Sequence, residues 1–225
     1  MTVIQEHIRA IEAQLPPTVR LVAVSKFHPA EAVGQAYEAG QRLFGESHAQ
    51  ELVPKAQTLP ADIEWHFIGH LQTNKVRQIV PYVSCIQSVD SERLLQEIDK
   101  QASRFGRVVD VLLQFHIAQE ETKSGFLYDE CVALLLSEAF RQMASVRVVG
   151  VMGMATATDD ERQVRLEFRH LKQIFNRLKQ QFFADREEFK EISMGMSHDW
   201  PVAVDEGATL VRIGTAIFGE RNYTK

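Results

Sequence analysis

The stretch Val19–Lys26, VRLVAVSK, is an apolar run rich in valine, of strand length, that ends in a lysine. Pro29 follows it, and proline is favoured at the first turn of a helix. A near-continuous apolar strand is buried on both faces, which is typical of parallel sheets covered by helices. The stretch therefore predicts the first strand and helix of an α/β fold.

The same alternation of strand and helix continues along the chain. Residues Val164–Phe182 carry apolar side chains every three or four positions, as an amphipathic helix does, and Ile4–Leu15 repeats this pattern near the start. The further strand-like runs are Arg42–Gly45, Trp65–Ile68, Val83–Ile86, Val108–Phe115, Val146–Val151, Glu191–Met194 and Leu210–Ile213.

About eight such units, joined by short connections, close more naturally into a barrel than into an open sheet. No GxGxxG motif follows the first strand, which weakens the case for a dinucleotide-binding fold. The sequence therefore predicts one α/β domain over residues 1–225, a (β/α)8 barrel of the TIM type. An extra N-terminal helix is expected to cover the bottom of the barrel or to pack beside it.

Charge and composition argue against several classes of function. The formal net charge is −5 and the basic residues are dispersed, whereas nucleic acids and anionic membranes require a clustered basic face. No apolar stretch approaches the roughly 18 residues of a spanning helix, and the N-terminus does not resemble a signal peptide. Cys85 and Cys131 lack metal-type spacing, so two reduced thiols are expected. We expect a cytoplasmic monomer.

In such a barrel, ligands bind where the strands end, and Lys26 follows the first strand almost directly. A lysine that is desolvated at a strand end can lose its proton, attack an aldehyde and form a Schiff base. The alternative is a surface lysine that opens the first loop.

Two loops near the C-terminus combine a glycine with a hydroxyl group. Gly195 and Ser197 follow the seventh strand, and Gly214 and Thr215 follow the eighth. The corresponding loops of TIM barrels frequently bind phosphate through backbone N–H groups, which glycine allows to approach closely. The alternative is that both glycines only serve turns.

Arg212 lies inside the apolar eighth strand, where an unpaired guanidinium would be costly. Its partner is either a carboxylate on a neighbouring strand or a ligand's phosphate or ring nitrogen. His66 and His70 do not form a zinc motif, because Gly69 breaks the helix that HExxH geometry requires. No metal site is predicted.

A lysine that forms a Schiff base, a phosphate-binding loop and a buried arginine are three parts of a pyridoxal 5′-phosphate (PLP) site. They fit less well an aldolase that binds a sugar phosphate. PLP is therefore the predicted cofactor.

An ordered series of motifs runs along the chain. It comprises Ala23–Lys26 (AVSK), Phe44–Glu46 (FGE), Trp65–Lys75 (WHFIGHLQTNK), Ser88–Asp90 (SVD), Ser193–Asp199 (SMGMSHD) and Val211–Gly219 (VRIGTAIFG). In this series the chain resembles the pyridoxal phosphate homeostasis protein family, and the resemblance extends over nearly the whole length.

The resemblance implies a PLP barrel of fold type III, akin to the N-terminal domain of alanine racemase. Carried over by position, Lys26 would hold PLP as a Schiff base. Ser197, Gly214 and Thr215 would hold the phosphate, and Arg212 would face the pyridine nitrogen.

The resemblance also implies a role in vitamin B6 homeostasis. The protein would store PLP or deliver it to apo-PLP enzymes, and so affect amino-acid and keto-acid metabolism without turnover of its own. The alternative is a PLP-dependent amino-acid racemase, which would need a second acid/base group opposite Lys26.

This sequence departs from the family pattern near the cofactor. Ser47 stands where the family usually has asparagine, and His116 replaces a second asparagine. The two changes affect the hydrogen bond to the phenolic oxygen of PLP. Lys123, in the loop after the fifth strand, is predicted to assist PLP transfer; a solvated loop lysine is the alternative.

Overall fold

A computed structural model of the chain describes residues 1–120 and 124–220. The strands are β1 (Arg20–Val24), β2 (Leu43–Glu46), β3 (Glu64–Phe67), β4 (Val83–Val89), β5 (Val109–Phe115), β6 (Val146–Gly153), β7 (Glu191–Ser193) and β8 (Leu210–Ile213). Each strand pairs in parallel with the next, and β1 pairs with β8, so the sheet closes on itself. The predicted (β/α)8 barrel is confirmed.

Helices alternate with the strands around the outside of the barrel. They are α1 (Val3–Glu12), α2 (Ala30–Glu38), α3 (Ala49–Thr58), α4 (Thr73–Ile79), α5 (Glu92–Arg104), α6 (Tyr128–Leu136), α7 (Glu138–Gln142), α8 (Glu161–Phe182), α9 (Trp200–Asp205) and α10 (Thr215–Phe218). Within the described part of the chain, no helix has the length and apolar character needed to cross a membrane.

Apolar side chains pack on both faces of the sheet, as the near-continuous apolar strands predict. The larger cluster lies between the sheet and the helices and includes Phe168 and Leu171 of α8, both fully buried. Burial of one such side chain contributes roughly 1.5–3 kcal/mol. A smaller cluster lies inside the barrel and contains Val22, Leu43, Cys85, Leu112, Val149, Met152 and Leu210.

The N-terminal helix packs beside the barrel and not across its bottom. α1 contacts α2 and α10, its Ile8 and Ile11 are buried, and the Nδ1 atom of His7 lies 3.0 Å from the carbonyl oxygen of Ile217 in α10. Because α2 follows the first strand and α10 the last, α1 covers the place where the first and last strands of the sheet meet.

Two strands run further than their sequence patterns predict. β4 continues to Val89 and β6 to Gly153. The predicted run ends at Ile86, before the polar Gln87 and Ser88, but both are buried, and Gln87 forms hydrogen bonds inside the barrel. A polar pair can therefore continue a buried strand where the interior supplies its partners.

Candidate functional site

A cavity of about 330 Å³ opens at the end of the barrel where the strands finish. This volume falls within the roughly 300–1,000 Å³ that small-molecule sites occupy. Segments that follow β1, β2, β7 and β8 meet there, although they are far apart in the sequence. All the residues predicted to bind the ligand line this cavity: Lys26, Ser47, Ser197, Arg212, Gly214 and Thr215.

Lys26 lies in the tight loop that follows β1. The amide of Ser25 donates to the carbonyl oxygen of Gly45 at 3.1 Å, which continues the pairing of β1 with β2. Phe27 then adopts a left-handed φ of 65°, which residues other than glycine rarely adopt. The chain turns there towards Pro29 and α2, and the Lys26 side chain lines the cavity.

The two loops that carry the predicted phosphate donors touch each other. The amide of Gly214 donates to the Oγ atom of Ser197 at 3.3 Å, and Thr215 adds a second hydroxyl to the cavity wall. A Cβ atom at Gly214 would lie 3.1 Å from the carbonyl oxygen of Val24, so glycine allows the end of β8 to approach β1 closely.

Gly195 serves the turn after β7. Its φ is 89°, and a Cβ atom there would lie 2.6 Å from the Cβ atom of Ala203. Gly195 is not part of the cavity lining, in contrast to the neighbouring Met196 and Ser197. Of the two explanations for this glycine, the turn is the one that the structure supports.

Arg212 is buried and has found polar partners that are not carboxylates. Its guanidinium donates to the Oγ atom of Ser193 at 2.6 Å and to the carbonyl oxygen of Gly153 at 3.0 Å. Among the described residues, no carboxylate forms a salt bridge with it. Burial lowers the pKa of the Arg212 guanidinium to about 10, although the charge of Asp199 acts to raise this pKa, and the group remains cationic at neutral pH. The predicted alternative of a buried ion pair is therefore wrong.

A chain of hydrogen bonds runs from Arg212 through the barrel interior. Because arginine only donates, the Ser193 hydroxyl accepts from Arg212 and donates in turn to the Oε1 atom of Gln87 at 2.6 Å. The Nε2 atom of Gln87 lies 2.7 Å from the Nδ1 atom of His66. Burial lowers the pKa of His66 to about 3, so its ring is neutral and Nδ1 is the acceptor. In each of these three hydrogen bonds, the donor is therefore the group nearer to the Arg212 cation along the series.

The electrostatic character of the cavity is that of an anion site. Its lining contains the cationic groups of Lys26 and Arg212, the hydroxyls of Ser47, Ser197 and Thr215, and no carboxylate among the residues that the structure describes. Residues 1–120 and 124–220 also contain no cluster of three or more potential metal-ligating His, Cys, Asp or Glu side chains.

The family model for the alanine racemase N-terminal domain matches residues 1–222. A pyridoxal phosphate homeostasis protein of Aquifex aeolicus is 38% identical over 205 residues, which cover 91% of this chain and 88% of that protein. The chain belongs to the pyridoxal phosphate homeostasis protein family.

Solved structures agree with the membership in this family. PipY of Synechococcus elongatus PCC7942, solved with PLP bound, superposes with a TM-score of 0.87 at 39% identity, covering 96% of this chain and all of PipY. Alanine racemase of Streptomyces coelicolor superposes with a TM-score of 0.75 at 19% identity, covering 96% of this chain and 57% of the racemase, and shows the shared fold alone.

Six further residues line the cavity and were not predicted from the sequence to bind the ligand. They are Val24, His28, Ile68, Met154, Met196 and His198. His198 and Met196 lie within the motif Ser193–Asp199, so their position beside Ser197 was available as a signal. His28 comes two residues after Lys26, and its ring stacks on Phe218 of α10 with centroids 5.2 Å apart.

Other residues at the strand ends lie elsewhere. Glu46 is not on the rim of the cavity but fully buried behind it. His116 places its Nε2 atom 2.9 Å from the carbonyl oxygen of Glu120 and does not line the cavity. Lys123, predicted to assist transfer, lies outside the described residues.

Proposed function

We propose that this chain binds PLP in the cavity at the C-terminal ends of the strands, as a Schiff base on Lys26. The observation that carries the proposal is the cavity lining, which combines one lysine amine with a buried arginine and several hydroxyls and lacks a carboxylate among the described residues. A phosphate ester that bears an aldehyde matches this set of groups.

The residues present fit the aldehyde, the phosphate and the pyridine nitrogen of PLP. The Lys26 amine would attack the aldehyde carbon, and a C=N bond forms as water leaves. The Ser197 oxygen already accepts from the Gly214 amide, so its hydrogen can be donated to a phosphate oxygen, and Thr215 adds a second donor. Arg212 would donate to the pyridine nitrogen. The bound cofactor itself supplies an electron-withdrawing ring.

The proposed role is to hold PLP for storage or for delivery to apo-PLP enzymes in vitamin B6 homeostasis. The relatives named as pyridoxal phosphate homeostasis proteins support this role. The proposed location is the cytoplasm. Cys85 and Cys131 support it, because both are buried free thiols, as expected in a reducing compartment. A monomer of one domain over residues 1–225 is proposed as well.

A visible absorption spectrum of the purified protein with added PLP tests the proposal. We expect imine absorbance that borohydride removes, and a peptide in which mass spectrometry finds the reduced cofactor on Lys26. An aldolase without PLP would show neither change. PLP attached to Lys75 instead would refute the assignment to Lys26.

A PLP-dependent racemase is a second candidate, because the imidazoles of His28 and His198 also line the cavity. Two features argue against it. A racemase needs a second acid/base group opposite Lys26, such as a tyrosine. The described tyrosines Tyr37, Tyr82 and Tyr128 bond to residues away from the cavity. A fixed Arg212 cation also disfavours protonation of the pyridine nitrogen, which weakens the ring as an electron sink, but the arginine alone does not forbid racemisation and carries less weight than the lack of such a second base among the described residues.

Exchange of the Cα hydrogen of L- and D-alanine in deuterated water separates the two candidates. We expect no exchange with inversion at enzyme rates, because inversion needs an acid/base group on each face of Cα, whereas exchange with retention needs only one. Fast exchange that disappears in both Lys26→Ala and His198→Ala would establish the racemase. A panel of other amino acids extends the test beyond alanine.

A further inference from the structure

Three charged side chains behind the cavity hold the backbone on both sides of Lys26. The Ser25 hydroxyl donates to the Oε1 atom of Glu46 at 2.7 Å, and the Ser25 carbonyl accepts from the Nζ atom of Lys55 at 2.9 Å. On the other side, the amide of Phe27 donates to Glu51 at 2.6 Å. We call Glu46, Glu51 and Lys55 the clasp.

The clasp is a compact charged cluster of β2 and α3. The Nζ atom of Lys55 lies 2.6 Å from the Oε1 atom of Glu46 and 3.6 Å from the Oε2 atom of Glu51. The Glu46 side chain is fully buried and that of Lys55 is 7% exposed. None of the three residues lines the cavity. The clasp therefore does not touch the cavity itself, and its side chains bond to the loop Ser25–Phe27 that carries Lys26.

A cluster of this kind is costly to bury. Each buried ion loses hydration worth several kcal/mol, and a packed apolar pair is often as stable as a buried ion pair. The Oε2 atom of Glu46 is buried and accepts no hydrogen bond from any described residue. Burial also outweighs Lys55 and Ser25 in setting the pKa of Glu46, which is raised above its usual value. The fold alone gives little reason for these charges.

The loop that the clasp holds is itself strained. A left-handed φ is sterically unfavourable at a residue other than glycine, and Phe27 has a φ of 65°. Such a conformation persists only where its surroundings determine it, and the charge-assisted bond from the Phe27 amide to Glu51 contributes to this, together with the contact of the Phe27 ring with His48. Without the clasp, the loop would be expected to relax and Lys26 to move.

We propose that the clasp positions Lys26, by fixing Ser25 and Phe27 so that the amine faces the aldehyde of bound PLP. Glu46, Glu51 and Lys55 are then positioning residues that favour Schiff-base formation without touching the cofactor. This role rests on the proposed function. It predicts a selective defect: loss of the clasp weakens the covalent step and spares the phosphate contacts, which belong to β7, β8 and α10.

Two ligands distinguish a defect in the covalent step from a defect in the phosphate contacts. PLP forms the Schiff base, whereas pyridoxine 5′-phosphate has the same ring and phosphate with a hydroxymethyl group in place of the aldehyde. We would titrate both into wild-type protein and into Lys55→Met and Glu51→Gln. Lys100→Met is the matched control, because Lys100 also pairs with a helix glutamate, Glu97, at 3.2 Å but far from the loop.

We expect Lys55→Met to weaken PLP binding roughly tenfold or more, as the loss of one charge-assisted bond does, and Glu51→Gln to weaken it less. Both variants should form the imine absorbance more slowly. Pyridoxine phosphate should bind each variant within about twofold of wild type, since it lacks the step that Lys26 performs. Lys100→Met should match wild type with both ligands.

The outcomes separate cleanly. If the clasp variants lose affinity for both ligands equally, or for neither, the clasp does not act on Lys26. If wild-type protein binds PLP without imine absorbance, the proposed function fails and the clasp proposal with it. If wild-type protein forms the imine and the variants bind PLP as tightly as it does, the clasp proposal fails and the proposed function stands. Should Lys55→Met not fold, Glu51→Gln decides, because Glu51 lies partly at the surface.

Discussion

The barrel has a cavity at each end, and the two cavities are similar in volume, about 330 Å³ where the strands finish and about 290 Å³ where they begin. They differ in charge. At the end where the strands begin, Arg20 pairs with Glu64 and Arg147 with Asp110, each at 2.6 Å. Cations there are matched by carboxylates, whereas the cavity at the other end contains none among the described residues.

The charge of the lining, and not the volume of the cavity, therefore distinguishes the proposed binding end from the other end. Paired side chains already satisfy each other, and a ligand would have to break those pairs to bind. Lysine, arginine and hydroxyl groups without a carboxylate attract an anion instead. We therefore expect substitutions at one end to change binding and matched substitutions at the other end to change stability only.

The largest effect is expected from Lys26→Ala. Lys26 is the only lysine among the described residues that line the cavity, so the imine absorbance should disappear when its amine is removed. Some PLP should still bind, because the phosphate donors remain. The matched control is Lys190→Ala at the opposite end, which should leave the spectrum unchanged. Imine absorbance that survives in Lys26→Ala would move the site to another lysine.

The next effect is expected from Ser197→Ala. A hydrogen bond to a charged group contributes roughly 1.5–3 kcal/mol, so its loss should weaken PLP binding about tenfold or more. Pyridoxal, which has no phosphate, should bind weakly to the wild type and equally to the variant. Ser84→Ala is the control: the Ser84 hydroxyl lies at the opposite end and donates to the carbonyl oxygen of Trp65 at 3.1 Å. Equal affinities of wild type for PLP and pyridoxal would contradict this role of Ser197.

The fold and most of the cavity could be predicted from the sequence, because both follow from periodicity. Apolar strands alternate with helices, parallel strands in a closed barrel finish at one end, and residues after those strands must meet. Lys26, Ser197 and Thr215 could thus be brought together without any distances.

What could not be predicted depends on how the elements pack. The sequence places Glu46 at a strand end but does not show that it turns behind the cavity, nor that Lys55, from the following helix, reaches it. Gln87 likewise lies beyond the predicted end of the fourth strand, but inside the barrel it forms hydrogen bonds with His66 and Ser193. Polar groups inside a core are satisfied by partners distant in sequence, which no local pattern contains.

A smaller effect is expected at low pH from His66, which lines the cavity where the strands begin. Burial holds its pKa at about 3, below the roughly 6.5 of an unfolded histidine. Protonation therefore favours unfolding: the stabilisation is complete above about pH 6.5 and declines as the pH falls towards 3. At about pH 5.5 the loss is on the order of 1 kcal/mol.

Urea denaturation at about pH 7 and about pH 5.5 measures this loss. His66→Asn, which keeps an acceptor for Gln87, should lack that part of the pH dependence. An unchanged pH dependence in His66→Asn would show that other groups are responsible. A change in PLP affinity in the same variant would show that the two ends communicate through the chain from His66 to Arg212, and the division between binding and stability would not hold.

The smallest effect is expected from the pair Arg20 and Glu64, whose side chains are 49% and 48% exposed. Exposed ion pairs contribute only about 0.2–1 kcal/mol, because water screens them and both side chains lose freedom.

A double-mutant cycle of Arg20→Ala and Glu64→Ala should give a coupling in this range. It should shrink further as salt shortens the screening length from about 10 Å at 0.1 M to about 3 Å at 1 M. Affinity for PLP should not change in either variant. Arg20 also lowers the pKa of His66, so Arg20→Ala should reduce the loss of stability at low pH. A coupling that is larger and insensitive to salt would mean that this end of the barrel excludes water as a binding site does, and charge matching would then no longer distinguish the two ends.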